Sequence, residues 1–493
     1  MKKNGQPNQK SGKTGKSRSA KNHELAVITY LFIGLFTCMI GYFIYFEAVL
    51  SPDVINNPYN ARQDAFAEKI IRGKILASDG TVLAETKTAE DGTETRSYPF
   101  GNVFSHVVGY STRGRTGLET LANFYLLTSD MPVVERIQNE IKEEKNQGDQ
   151  VITTLDVNLQ KTAWDALGSN RGAAVVLEAG TGRVLAMVSK PDFDPEQINA
   201  NWDSLTSEDD TESALYNRAA QGLYAPGSTF KIITLLEYMR ENPSTYADFT
   251  FHCNGKLTEG NYTINCYNKK AHGDEDLTKA FAKSCNAAFA SIGLGLNTSS
   301  LSAACDSLMF NRELPFELTY SKSSFSLDDS AVPADKMMTA VGQGQTLVSP
   351  LHMALIASAI ANEGKLMKPY LLERVENAES SLVKSFEPEE YGPLMTAAEA
   401  QNLTEYMKAV VESGTGSKLS DLGFPVAGKT GTAEYSSDKK KSHAWFVGFS
   451  DTEEQEDIVV CVLIEEKGSG SEYAVPVARK IFSAWHNSLT SGS

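Results

Sequence analysis

Ser228-Thr229-Phe230-Lys231, Ser284-Cys285-Asn286 and Lys429-Thr430-Gly431-Thr432 occur in that order on one chain, and together they carry the parts of a serine acyl-transfer reaction. A hydroxyl must attack, a base must take its proton, and cationic or hydrogen-bonding groups must hold a carboxylate and a developing oxyanion. Ser228 follows Tyr224-Ala225-Pro226-Gly227 and opens an apolar run of Ile232, Ile233, Leu235, Leu236 and Met239 at helical spacing. On such a helix Lys231 stands one turn from Ser228, on the same face. A lysine becomes a usable base when burial or a second cation lowers its pKa, and Lys429 is the candidate for that cation. A helix that starts near Ser228 also brings free N–H groups to the reacting carbonyl. Gly431 has no side chain to block a substrate from the strand backbone.

The same patterns recur elsewhere without that setting. S-x-x-K appears at Ser381, Ser436 and Ser437, and K-T-G at Lys13-Thr14-Gly15, all in polar surroundings that open no apolar helix. Gly423 to Thr430 also satisfies the phosphate-loop pattern G-x-x-x-x-G-K-[ST]. That loop must follow a buried strand and open a helix. Here a Gly- and Ser-rich stretch from Ser413 to Leu422 precedes it, and the polar Tyr435 to Ser442 follows it.

S-x-x-K, S-x-N and K-T-G in this order are the signature of penicillin-binding proteins and serine β-lactamases, and the chain resembles that superfamily. Further matches narrow the resemblance to class B penicillin-binding proteins. Before the nucleophile these are Pro58-Tyr59-Asn60, Arg72-Gly73-Lys74-Ile75, Asp79 to Ala84, Gly117-Leu118-Glu119, Thr153 to Asp156 with Leu159-Gln160, and Asn217-Arg218-Ala219. After it come Gly342-Gln343-Gly344, Ser349-Pro350 with Met353-Ala354, and His443 to Phe449, in which His443 reads as structural. The resemblance implies a peptidoglycan D,D-transpeptidase that acylates Ser228 with a stem peptide and is blocked covalently by β-lactams. It further implies Ser284 as a proton relay, Asn286 as a contact to substrate and lysine, and Lys429 with Thr430 and Thr432 around the substrate carboxylate. The N–H groups of Ser228 and Thr432 would form the oxyanion hole. No metal or cofactor is called for. A lactamase would also need a water-activating glutamate, and no E-x-x-L-N element lies between Ser284 and Lys429; Glu399-Ala400-Gln401-Asn402 lacks the leucine. A β-lactam sensor without cross-linking activity and a purely structural cell-wall protein are the other classes weighed. The intact trio speaks against the second, and the single membrane span against the first.

The chain has 493 residues and a net charge of −16, enough for two or three domains. Its acidity is uneven, since residues 1–24 hold seven Lys or Arg against Glu24 alone. That tail lacks aromatic residues and precedes 22 uncharged residues, Leu25 to Phe46, which suits a cytoplasmic tail rather than a nucleic-acid site. As a helix this stretch spans about 33 Å, near the ~30 Å hydrocarbon core of a bilayer. It is expected to be an uncleaved anchor with the catalytic part outside the cytoplasm. Six cysteines are scattered without metal-ligand spacing. Cys253 and Cys266 flank a short loop and could pair as a disulfide. Cys285, Cys305 and Cys461 read as small core residues, and Cys285 is given no chemistry.

The expected organisation is a basic tail (1–24), a transmembrane anchor (25–46), a mixed pedestal or dimerisation-like domain (47–150) and a transpeptidase domain (151–493). The last begins with a hairpin, Ala173 to Leu177 and Val184 to Val188 about Ala179-Gly180-Thr181-Gly182. Helical stretches including Pro350 to Asn362 follow, then strands at Ala444 to Phe449 and Ile458 to Ile464, and a helix from Val475 to Trp485. This order predicts an α+β fold, an antiparallel sheet sandwiched by helices. The short segment between anchor and catalytic part leaves no room for a glycosyltransferase domain. A partner polymerase within a cell-wall synthesis complex is therefore expected, and a homodimer is left open.

Overall fold

The structure, a computed structural model, describes residues 16–46, 69–207, 209, 211–434, 442–452 and 456–491. The Pro58-Tyr59-Asn60 landmark, the K-T-G copy at Lys13 and the S-x-x-K copies at Ser436 and Ser437 lie outside the described residues. The N-terminal segment is one helix, Lys16–Tyr45, and its part Leu25–Tyr45 is long and apolar enough to cross a membrane, with a mean hydropathy of 2.1.

The remainder is organised on a five-stranded sheet in the order Val426–Glu434, Ser442–Ser450, Ile458–Ile464, Gly172–Glu178, Val184–Lys190, with every neighbouring pair antiparallel. Alternation along the strands divides the interior. Ala173, Val175, Leu177, Trp445, Val447, Phe449, Val459, Cys461 and Leu463 join one core, which also holds the helix Pro350–Ala361. Ala174, Val176, Ala444, Phe446, Val460 and Val462 join another, against Leu159, Ala163 and Leu167 of the helix Val157–Leu167 and Ala478, Ile481 and Phe482 of the helix Gly470–Ser491. Side chains of successive strand residues point to opposite faces, so covering both faces requires near-continuous apolar runs such as Ile458–Ile464. The α+β sandwich predicted from element order is therefore the fold observed. The helix Pro350–Ala361 is apolar apart from His352 and Ser358 because it is buried from Pro350 to Ile360. Its start is set by Ser349, whose hydroxyl accepts from His352 N at 3.2 Å, and by Pro350 in the first turn.

A second sheet has six strands in the order Leu382–Ser385, Leu372–Glu376, Gln150–Thr153, Ile75–Leu76, Val82–Thr88, Glu94–Ser97. Its first two strands come from the middle of the catalytic half of the chain. Leu372–Glu376 pairs antiparallel with Gln150–Thr153, so the chain returns to complete the pedestal sheet. Ser381, the S-x-x-K copy within the described residues, sits beside the exposed strand of that return and not in the catalytic core. The hydroxyls of Thr153 and Thr154 tie the junction together, bonding to Leu76 O (2.9 Å) and Val184 O (2.8 Å).

The pedestal is fastened by one buried carboxylate. Glu119 takes hydrogen bonds from Arg72 Nε (2.6 Å), Arg96 Nε (2.7 Å) and Tyr98 Oη (3.1 Å), while Arg72 also reaches Asn123 Oδ1 (2.5 Å). The Arg72 and Glu119 landmarks are thus two halves of one ion cluster. Burial alone would raise the Glu119 pKa, but the two guanidinium groups outweigh it and hold the carboxyl at about 2. Burial draws Arg72 below its ordinary value without neutralising it, so the carboxylate is the member that titrates. A folded-state value below the ordinary 4.5 means that this group stabilises the fold above about pH 4.5, and that its share is lost as pH falls towards 2. Glu119→Gln is expected to cost about 3 kcal/mol near neutral pH, and the gap from wild type should close as the pH is lowered through that window. Denaturant unfolding of both proteins across pH checks this; a gap that stays constant would show that the carboxylate charge is not the link.

Candidate active site

The nucleophile turn is held from several sides before any substrate arrives. Tyr224 and Val348 exchange backbone hydrogen bonds (3.0 and 2.9 Å), Trp445 Nε1 donates to Ala225 O (3.1 Å), and Thr229 Oγ1 donates to Pro226 O (2.7 Å). Gly227 adopts φ +54° and its N–H reaches Gly342 O at 2.9 Å. A Cβ on Gly342, itself at φ +76°, would lie 1.9 Å from Gly227 O, so the Gly342-Gln343-Gly344 landmark is a close backbone approach behind the nucleophile. Gln343 Nε2 then spans the site to donate to Thr432 O at 3.1 Å. The Asn217-Arg218-Ala219 landmark also has a structural reason. Buried Arg218 donates to Glu465 Oε1 at 2.9 Å, and Tyr224 Oη donates to the same oxygen at 2.7 Å.

Gly227–Phe230 form a 3-10 turn that runs into the helix Lys231–Glu241, so Ser228 lies just ahead of the regular helix. Lys231 is fully buried and its three donors are all used, on Ser284 O (2.8 Å), Ser284 Oγ (3.2 Å) and Asn286 Oδ1 (2.7 Å). Lys429, also fully buried, approaches Ser284 Oγ from the other side at 2.9 Å and donates to Thr430 O at 3.1 Å. The Ser284 oxygen therefore accepts from two lysines, which leaves its own O–H free to donate. Burial lowers Lys231 to about 8, with Cys285, Cys266 and Glu275 resisting the shift. Burial, and then the charge of Lys231, pull Lys429 well below the ordinary lysine range. Two ammonium groups buried on one hydroxyl repel each other, so the pair sheds a proton far more readily than exposed lysines and supplies a neutral amine.

The Ser284 turn explains how one hydroxyl comes to lie between both lysines. Ser284 N bonds to Phe281 O (3.0 Å) and Cys285 N to Ala280 O (2.8 Å), the paired bonds that close a helix through a left-handed residue. Ser284 occupies that residue at φ +57°, where glycine is the usual choice. Cys285 at once caps the next helix, Asn286–Gly295, so the two motif residues are fixed by back-to-back helix ends.

Lys429, Thr430, Gly431 and Thr432 all lie on the strand Val426–Glu434, as their spacing suggests. Gly431 does something the sequence did not reveal. A Cβ there would meet Thr229 Cγ2 and Trp445 Cβ at 3.0 Å and Pro226 O at 3.1 Å, so the missing side chain makes room for the nucleophile turn itself. Thr415 lies in the Gly- and Ser-rich stretch Ser413 to Leu422, to which the sequence assigned no role, yet its hydroxyl meets that of Thr430 at 2.5 Å and its N–H bonds to Ala282 O at 3.2 Å. A cluster of small residues, Ser413-Gly414-Thr415-Gly416, was the available signal. His443 packs edge-on against Tyr224 at 5.2 Å, outside the lining of the cleft. Glu399 closes a capping box with Thr396 and accepts from Arg240 Nε at 2.7 Å, also outside that lining. The cleft holds about 800 Å³ and is lined by Ser228, Ser284, Asn286, Thr430 to Thr432 and Tyr262 to Lys270, the last beginning on a two-stranded ribbon of Lys256–Glu259 and Tyr262–Asn265.

The description "penicillin binding protein transpeptidase domain" fits residues 172–483, and "penicillin binding protein A dimerisation domain" fits residues 72–151. The chain belongs to the penicillin-binding protein transpeptidase family. It is 30% identical to the peptidoglycan D,D-transpeptidase PbpA of Mycolicibacterium smegmatis over 442 residues, covering 84% of this chain and 88% of that one. Among solved structures it resembles the D,D-transpeptidase domain of a peptidoglycan glycosyltransferase from Eggerthella lenta (TM-score 0.76, 32% identity, 85% of this chain and 99% of that one). It also resembles the imipenem acyl-enzyme of penicillin-binding protein A from M. tuberculosis (TM-score 0.74, 26% identity, 85% and 99% covered).

The left-handed conformation at Ser284 separates stability from function. Ser284→Gly relieves a strain of about 1 kcal/mol while deleting the oxygen on which both lysines converge. The relieved strain partly offsets the acceptor that both buried lysines lose, so the variant should still fold with a native circular-dichroism spectrum, yet react with a fluorescent penicillin at least about 10²-fold more slowly. Labelling at the wild-type rate would remove Ser284 from the proton path.

Proposed function

We propose that this chain is a membrane-anchored peptidoglycan D,D-transpeptidase that works through an acyl-enzyme on Ser228. The observation that carries the reading is the pair of buried lysines meeting on Ser284 Oγ in a cleft that Ser228 lines. A stem peptide places its terminal carboxylate against Lys429, Thr430 and Thr432. Ser228 Oγ attacks the penultimate D-Ala carbonyl and its proton passes to the Lys231 amine, with Ser284 as the relay between the lysines. The carbonyl oxygen becomes an oxyanion between the N–H groups of Ser228 and Thr432, each worth about 3–4 kcal/mol in such sites. Collapse breaks the peptide bond, and the leaving D-Ala amine takes the proton. The amine of a second stem peptide then attacks the ester, gives its proton back through the same groups and frees Ser228. Asn286, with its carboxamide oxygen on Lys231, holds that amine in place and borders the peptide. A β-lactam enters by the same first step. Glu399 is committed to a helix cap and Arg240, so the Glu399-Ala400-Gln401-Asn402 stretch offers no base to activate water against the ester, which favours a long-lived adduct.

The basic tail ahead of Leu25–Tyr45 supports an orientation with the tail in the cytoplasm and the catalytic domain outside. The dimerisation-type segment at 72–151 lies between anchor and catalytic domain, which supports a chain that polymerises no glycan alone and works beside a polymerase. Self-association through that segment belongs to the same reading.

Ser228→Ala should fold and lose covalent penicillin labelling entirely, while the wild-type labelling rate should climb as pH rises through about 8 and Lys231 loses its proton. Intact-mass spectrometry should find the penicilloyl adduct persisting after excess drug is removed. A labelled Ser228→Ala protein, or rapid return to unmodified mass with continued penicillin hydrolysis, contradicts the reading. Protease added to intact protoplasts should remove the catalytic domain, and purified chain given lipid-linked disaccharide should make no glycan strands. A protected domain would reverse the orientation, and strands formed unaided would place polymerase activity in this chain.

A further inference from the structure

Three thiols and an imidazole from separate stretches of the chain meet beside the Ser284 turn. Cys253 ends the strand Thr250–Cys253, Cys266 follows the strand Tyr262–Asn265, His272 precedes the strand Gly273–Asp276, and Cys285 caps the helix Asn286–Gly295. The three cysteines are buried and the histidine half-buried, and their four ligand atoms all lie within 4.8 Å of one another. Cys253 Sγ is 3.7 Å from Cys266 Sγ, Cys266 Sγ is 3.7 Å from Cys285 Sγ, and Cys253 Sγ is 3.5 Å from His272 Nδ1. A tetrahedral zinc ion with bonds of about 2.3 Å to sulfur and about 2.0–2.1 Å to nitrogen has S–S edges of about 3.8 Å and S–N edges of about 3.6 Å. The observed separations match those edges. All the cysteines are free thiols, so the disulfide open to Cys253 and Cys266 on sequence grounds is not formed.

Two further features favour a cation here. Backbone N–H groups of Gly255 and Ala288 point at Cys253 Sγ and Cys285 Sγ, each at 3.4 Å, and such donors stabilise the thiolate. Independently, the Glu275 carboxylate is buried with neither oxygen hydrogen-bonded, and its Oε1 lies 3.6 Å from His272 Nδ1. A buried carboxylate without a hydrogen bond is unfavourable unless positive charge is close; the Lys231 ammonium is one such charge, and a cation held beside His272 would be a nearer one.

We propose that Cys253, Cys266, His272 and Cys285 bind one zinc ion in a closed four-ligand structural site. Zinc replaces the thiol protons, which are released on binding, and no step of the acyl transfer passes through the metal. Its place gives it a task. Cys285 sits between Ser284 and Asn286, the two residues that hold Lys231. The other three ligands belong to the excursion between Thr250 and Asp276, whose ribbon residues wall the cleft and whose Asn265 O accepts from Asn286 Nδ2 at 3.0 Å. The metal therefore pins that wall to the catalytic turn.

The full chain, purified in detergent with thiol protection and zinc in the growth medium, should contain one zinc per chain by elemental mass spectrometry. Cys266→Ala and His272→Ala should each lose it. Cobalt(II) exchanged into the wild-type chain should give the visible bands of a tetrahedral thiolate site, a readout that does not depend on any variant folding. Chelation should lower the melting temperature and slow penicillin labelling about tenfold or more, with zinc restoring both. Wild-type protein without stoichiometric zinc and with all three thiols open to alkylation overturns the site. So does a mass showing two hydrogens lost to a Cys–Cys disulfide. Stoichiometric zinc in a chain that fails to label with penicillin leaves the metal site standing and counts against the acyl-transfer reading instead.

Discussion

Removing two lysine side chains from water onto a single hydroxyl is the constraint around which this protein is built. Each ammonium group taken from solvent loses hydration worth several kcal/mol, and among the described residues Lys429 donates only to a hydroxyl and a backbone carbonyl, neither of which carries a charge to offset this. Burial is what lowers the pKa of both lysines, and in the proposed reaction that is what would let one of them serve as a base at ordinary pH. Such an arrangement survives only if the surroundings cannot relax to let water in. The all-round burial of the helix Pro350–Ala361, the close contact of Gly342 with Gly227 and the absence of a side chain at Gly431 all serve that rigidity.

The same constraint accounts for local features that look unfavourable one at a time. A serine in the left-handed region, a pair of like charges side by side and two helices ending on each other would each be selected against in a chain judged on stability alone. They coincide at Ser284. The stability that tolerates them comes from elsewhere: the two cores on either face of the five-stranded sheet, and the Arg72–Glu119–Arg96 cluster under the pedestal.

Much of the site was legible in the sequence because its parts are local. Lys231 follows Ser228 by one helical turn, Ser284 and Asn286 flank one residue, and Lys429 to Thr432 are consecutive on a strand, so short-range geometry is written directly into spacing. The fold class was legible for a similar reason, since strands buried on both faces must be apolar throughout. What could not be read was whatever depends on distant segments meeting. Thr415 touches Thr430 only because the loop after the helix Ala397–Glu412 folds back on Ala282, and no local pattern announces that. Gly431 was rightly marked as a position that excludes a side chain, but what fills the space was invisible until Thr229 and Trp445 were in place. Cys285 read as filler because its neighbours Cys266 and Cys253 reach it through turns whose course the sequence does not encode locally.

The strand pair that the catalytic half lends to the pedestal has consequences for how the molecule is made. Gln150–Thr153 finds its antiparallel neighbour only in Leu372–Glu376, more than two hundred residues later. A chain that emerges from its amino end must carry a pedestal sheet with one side unsatisfied until most of the catalytic half has followed. Such an open edge invites pairing with the wrong strand, and contacts so distant in sequence form late and slowly. The two halves therefore mature as one unit: neither the pedestal nor the catalytic half can be severed at the residue-150 border, or exchanged for that of a relative, without leaving the other a raw sheet edge.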